Sequence, residues 1–156
     1  MTGPERADGI AMGLLMRARE VAPRIATGAY ILNSGVQKRR ADEEAAKRLH
    51  TLASGTYPFL ARMEPVTFVR ALSAAEIGLG AALLTPFVPA ALAGAALTAF
   101  SGGLLVMYLR TPGMRKPGSL APTPAGLAIS KDVWMLGIGL GLLTDAATRS
   151  RRRSSS

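Results

Sequence analysis

The stretch that decides the fold runs from residue 71 to residue 109: ALSAAEIGLGAALLTPFVPAALAGAALTAFSGGLLVMYL. It is bounded by Arg70 and Arg110, and in 39 residues it holds one charged side chain, Glu76. As a single helix it would be ~58 Å long, about twice the hydrocarbon thickness of a bilayer. Two spans fit that length. The break between them is written as Thr85-Pro86-Phe87-Val88-Pro89, two prolines where one helix must stop and the next begin. An uncharged joining loop predicts a tight hairpin. A soluble helix of this kind would need a polar face, and this stretch is apolar or small all round, so the segment reads as membrane-embedded.

Outward from there the chain alternates between apolar runs and basic clusters. It has 156 residues, 49% hydrophobic, with 19 Lys and Arg against 10 Asp and Glu, a net charge of +9. The mean hydropathy is nevertheless positive, +0.24. Before the central stretch, residues 9–16 form an apolar run too short to cross a bilayer, which reads as a short N-terminal interfacial helix within residues 1–20. Pro23 and Arg24 open a second run, Ile25 to Val36, closed by Lys38-Arg39-Arg40. It spans only if Arg24 and Lys38 snorkel to the headgroups. Residues 39–62 are polar, mixed in charge and read as an exposed helical connector. After Arg110 come about twenty residues crowded with proline and glycine, a loop. Ser130, a candidate N-cap, and Asp132 in the first turn then introduce a last apolar run from Val133 to Thr144.

The expectation is an all-α integral membrane four-helix bundle. Its spans fall at about 21–38, 68–86, 89–109 and 129–147, within a membrane domain of residues 21–147, followed by a basic disordered tail, 148–156. Small residues at i, i+4 spacing, Gly94, Thr98 and Gly102 on one span and Gly137 and Gly141 on the last, are the expected helix-packing positions. Four spans place eight basic residues on the side of the tails and eleven on the other, a balance that leaves the orientation unassigned.

Several residues in this series carry a resemblance. Arg24, Gly28, Gly35 and Lys38 in the first span, Glu76 with Gly78 and Gly80 in the second, and Lys131-Asp132 before the last resemble the DoxX family of small four-helix bacterial membrane proteins. The resemblance covers residues 20 to 147. It implies a multi-pass protein of the bacterial plasma membrane, of a family in which some members associate with thiosulfate:quinone oxidoreduction or with complexes for oxidative-stress defence.

The candidate buried polar site is Glu76, with Arg24 or Asn33 as partner across the helix interface and Lys131 and Asp132 at the mouth of the same cavity. An ionisable group within a span is expensive and normally faces the bundle interior with a partner or a task. Two readings of Glu76 stand: a proton or quinone-headgroup contact, or a polar clamp that fixes helix packing. Lys131 and Asp132 also read simply as a helix start at the membrane surface. His50, the only histidine, and the absence of cysteine make no metal site and no thiol chemistry. Gly137, Gly139 and Gly141 lack the strand and turn of a dinucleotide fingerprint. The arginine tail beside a span reads as a lipid anchor, with no aromatic residues interleaved for nucleic-acid stacking.

Function is therefore expected to be that of a non-catalytic subunit organising or anchoring a membrane redox or stress complex, its partners the bilayer and membrane redox proteins, with no evident cofactor. The alternative is a quinone-interacting oxidoreductase subunit.

Overall fold

A computed structural model describes residues 3–154, with side-chain environments for residues 19–151. Six α-helices carry the described chain: α1 Gly3–Lys38, α2 Glu43–Thr56, α3 Pro65–Leu84, α4 Ala90–Arg110, α5 Leu127–Ser130 and α6 Asp132–Ser154. A 3-10 turn, Pro58–Arg62, joins α2 to α3. Among the described residues there is no strand, only one isolated bridge between Arg115 and Pro122 in the loop before α5. Three helical segments are long and apolar enough to cross a membrane: Pro65–Leu84, Ala90–Arg110 and Leu127–Arg151.

The outward faces support that assignment. Phe87 is 90% exposed and Leu92 63%, and Val133, Leu140 and Leu109 also point outward. Less than two fifths of each apolar window is buried within the chain (39%, 28% and 22%), so most of it needs an apolar solvent.

The helices associate as two close pairs. α3 turns one stripe inward, Val69, Ser73, Glu76, Gly80 and Leu83, spaced alternately four and three residues apart. α1 answers with Arg24, Gly28, Ile31, Gly35 and Lys38 at the same spacing, running the opposite way. Alternating fours and threes keep one side of a helix against its neighbour. The glycines set the distance. A Cβ on Gly80 would lie 2.7 Å from the backbone nitrogen of Leu32, and one on Gly35 would lie 2.9 Å from that of Ile77. The buried Ser73 hydroxyl donates to the Gly35 carbonyl at 2.7 Å across the same seam.

In the second pair, Gly94 of α4 faces Leu142 and the Gly139 carbonyl of α6, while Gly139 faces Thr98. Ile31, Leu79, Leu83, Ala93, Leu97, Met135 and Leu142 fill the space where the two pairs meet. α2 lays Ala46 and Ala53 on Phe68, Val69 and Met107 in a second apolar cluster. Its N-cap, Asp42, accepts from the Ala45 amide at 2.7 Å.

Several expectations change. The short interfacial helix and the first span are one continuous helix, α1, with Pro23 inside it. An internal proline removes one helical hydrogen bond, and here the next residue, Arg24, bonds the end of α3. The hairpin at 85–89 is present, but α3 and α4 pack mainly on α1 and α6 rather than on each other, because the glycine seams lie on those faces. Gly94 and Thr98 are packing residues. Gly102, Gly137 and Gly141 are not, since a Cβ on any of them would meet nothing within 4 Å. The inward face of α6 follows Met135, Gly139 and Leu142 instead. Ser130 does not cap α6: it belongs to α5 and donates to the Leu127 carbonyl. The basic tail does not leave the helix at 148, as α6 continues to Ser154 and Arg149 forms an ion pair with Glu20 of α1.

Candidate functional site

Glu76 sits midway along α3 on the stripe that faces α1, 4% exposed. Its partner is Lys38, in the last turn of α1. The Lys38 Nζ lies 2.9 Å from Oε1 and donates to Oε2 at 2.9 Å. It also donates to the Ser34 hydroxyl one turn earlier, at 2.7 Å. Two of the three N–H donors of the ammonium are thus hydrogen-bonded, with Oε1 in ion-pair contact. The antiparallel stripes dictate this pairing, since Gly35 already lies against Glu76 and Ile77.

Neither expected partner reaches Glu76. Arg24 is at the opposite end of the α1–α3 seam, 9% exposed. Its Nε donates to the Leu83 carbonyl at 2.9 Å and its Nη2 to the carbonyls of Ala82 at 3.0 Å and Thr85 at 2.8 Å. Both Nη atoms also reach the Val88 carbonyl at 3.2 Å. A helix ends with carbonyls that have no intrahelical donor, and the planar guanidinium gathers those of α3 while placing a cation at the negative end of its dipole. Asn33 is exposed, on the face of α1 turned away from α3.

Beside the Lys38–Glu76 pair opens a cavity of about 440 Å³. α1, α3, α4 and α6 contribute Ile31, Leu72, Phe100 and Met135 to its wall, and α2 closes it with Leu49 and Leu52. Asp132 lines the same cavity from the start of α6. It is 8% exposed and within electrostatic reach of both Lys38 and Glu76. Lys131, its neighbour, is exposed and belongs to the surface. Tyr57 reaches in from the end of α2, where its hydroxyl donates to the Gly103 carbonyl at 2.8 Å. His50 is less solvated than its connector position suggests: its Nε2 is 2.9 Å from the Leu60 carbonyl and its ring stands edge-on to Phe68, 5.5 Å between centroids.

The cavity therefore gathers Glu76 and Asp132 from the expected set, adds Lys38, and leaves out Arg24, Asn33 and Lys131. The signal that finds Lys38 is its spacing from Arg24 by two heptads, on the same side as Gly28 and Gly35. Chemically the arrangement offers an apolar pocket with an internal ion pair and a second carboxylate. Among the described residues no group of three or more His, Cys, Asp or Glu side chains is placed to hold a metal ion. A second cavity of about 550 Å³ lies at the other end, bordered by Glu20, Arg24 and Arg149, all three of which have partners. No family model, curated protein or solved structure matches the chain.

Proposed function

We propose that the chain is a four-span, DoxX-like integral membrane subunit of a redox or oxidative-stress assembly in the bacterial plasma membrane, and that its part there is to hold a lipid-soluble small molecule. The observation that carries this reading is the cavity beside Lys38 and Glu76. A subunit that only anchors partners has no need of about 440 Å³ of apolar space lined by three ionisable groups, whereas pockets of this size with few polar groups are typical of small-molecule sites. α1 supplies the fourth span. Hydropathy alone leaves it doubtful because of Arg24 and Lys38, yet both have internal partners, which lowers the cost of placing them in a membrane. Five residues of the DoxX-like series, Gly28, Gly35, Lys38, Glu76 and Gly80, meet across the α1–α3 seam, and that coincidence supports the family likeness.

The alternative, a quinone-interacting oxidoreductase subunit, is favoured by one observation: Glu76 stands on the cavity wall. Purification of the full chain from membranes in mild detergent tests both. Lipid-soluble compounds extracted from the preparation are identified by mass spectrometry, beside the same preparation of Gly103→Phe, which fills the cavity. The binding reading expects a compound in the wild type that is lost in the variant, with a quinone favouring the alternative. A lone, ligand-free protein in both preparations overturns the two together.

A further inference from the structure

The balance of charge in the cavity specifies its occupant further, given that the cavity is a small-molecule site. Lys38 contributes one positive charge, Glu76 and Asp132 one negative charge each, leaving one carboxylate in excess. The ammonium of Lys38 donates to Glu76 and Ser34, and the Tyr57 hydroxyl donates to the Gly103 carbonyl. The Asp132 carboxylate makes neither a hydrogen bond nor an ion pair with any described residue, although it is more than nine-tenths buried. A buried carboxylate without a partner is costly, and either a proton or a cation relieves it. The rings of Tyr30, Tyr57, Phe68 and Phe100 line the same cavity, and aromatic faces attract cations.

We propose that the cavity binds a lipophilic organic monocation, an ammonium or similar group on an apolar body, with Asp132 as its counter-ion. The apolar body occupies the space between α2 and the spans, and the charged end lies at Asp132, the carboxylate left without a partner. Lys38 and Glu76 neutralise each other and keep the preference at a single positive charge.

The test uses the full chain in detergent at pH 8 and two probes of matched shape, 4-phenylbutylammonium and neutral 4-phenylbutanol, by equilibrium dialysis with protein-free micelles subtracted. Wild type is expected to bind the cation at least about tenfold more tightly than the alcohol. Asp132→Asn should abolish that preference while leaving alcohol binding in place, and Asp132→Glu should restore it. Each variant is first checked for an unchanged gel-filtration profile, and the Glu variant separates loss of charge from loss of fold. If wild type and Asp132→Asn bind both probes equally, Asp132 is neutralised by a proton and the cation proposal falls, while the cavity remains a binding site. If neither probe binds wild type above the micelle background, the small-molecule reading falls as well.

Discussion

The two helix pairs solve the same packing problem with different chemistry. α1 and α3 meet along Gly28, Gly35 and Gly80, as α4 and α6 meet along Gly94 and Gly139. In both, a backbone lies where a side chain would otherwise stand. The α1–α3 seam adds charge at both ends, Arg24 on the carbonyls ending α3 and Lys38 on Glu76. The close contacts of the α4–α6 seam, Gly94 on Leu142 and Gly139 on Thr98, involve no ionisable group. The seam's polar atoms are the hydroxyls of Thr98, which has no partner, and Ser101, which donates to the Leu97 carbonyl of its own helix. Glycine thus sets the distance in each pair, whereas charge fixes the register of only one. A register fixed by charge also places reactive groups, and it is at this seam that the cavity opens.

The largest effects should come from the glycines both pairs share. Gly80→Leu would drive its Cβ against the Leu32 and Gly28 backbones at 2.7 and 2.8 Å. Because neither backbone can retreat as a side chain can, the cost should reach about 3 kcal/mol or more, seen as loss of the monodisperse species on gel filtration. Gly139→Leu should be comparably damaging, its Cβ lying 2.9 Å from the Thr98 nitrogen. Gly137→Leu, two residues away and facing open space, should stay within about 0.5 kcal/mol. Equal damage at 137 and 139 would overturn the assignment of the α6 face.

Next in size is the ion pair, where the pairs should diverge. Glu76→Leu leaves the Lys38 ammonium in a mostly apolar setting, a loss of about 3 kcal/mol by analogy with other broken buried pairs. Adding Lys38→Met should recover most of it, as apolar replacements of whole buried pairs often do. Thermal unfolding of the two single variants and the double variant gives the coupling between the residues. Full recovery of stability with loss of cavity binding would make Lys38–Glu76 functional; recovery with binding intact would leave it a packing clamp.

How much of this was legible follows from what each residue depends on. The apolar helices α3 and α4 and the break at 85–89 depend on local hydropathy and proline, so the sequence shows them directly. Glu76 is legible as a buried polar residue because its cost is local as well. Its partner was not. Choosing Lys38 over Arg24 requires knowing that α1 runs antiparallel to α3 and that Gly35 sets the register, both properties of the pair. The same holds on α6, where Gly137, Gly139 and Gly141 all look alike in sequence and only the position of α4 distinguishes Gly139. α1 resisted a reading by composition because its charges are satisfied by another helix.

Arg24 tests whether charge holds the far end of the first seam. Arg24→Met frees the carbonyls of Leu83, Ala82 and Thr85 and should cost about 1–3 kcal/mol, the penalty for unpartnered buried groups. Arg24→Lys should recover only part of it, since an ammonium lacks the planar fork that spans several carbonyls. Complete rescue by lysine would reduce the residue to a point charge. On the other seam, Thr98→Val removes a hydroxyl with no partner and should be neutral within about 0.5 kcal/mol.

The smallest effect concerns how the two apolar helices begin. α3 starts with Glu64, whose carboxylate accepts from the amides of Thr67 at 2.9 Å and Val66 at 3.2 Å; α4 starts at Pro89 with no side-chain cap. The bonds to Thr67 first, then Val66, hold the Glu64 carboxyl below its ordinary value of 4.5. A depressed carboxylate contributes its stabilisation above the unfolded-state value and loses it as pH falls through the folded-state value. Acidification from pH 5 toward pH 3 should therefore fray the first turn of α3, increasing amide exchange at Val66 and Thr67 relative to the exchange rate in unfolded peptide, while Ala91 to Ala93 at the start of α4 stay unchanged. Glu64→Gln should show the faster exchange already at neutral pH and respond little to acid. Equal acid sensitivity at the two helix starts would mean that the carboxylate is not what distinguishes them.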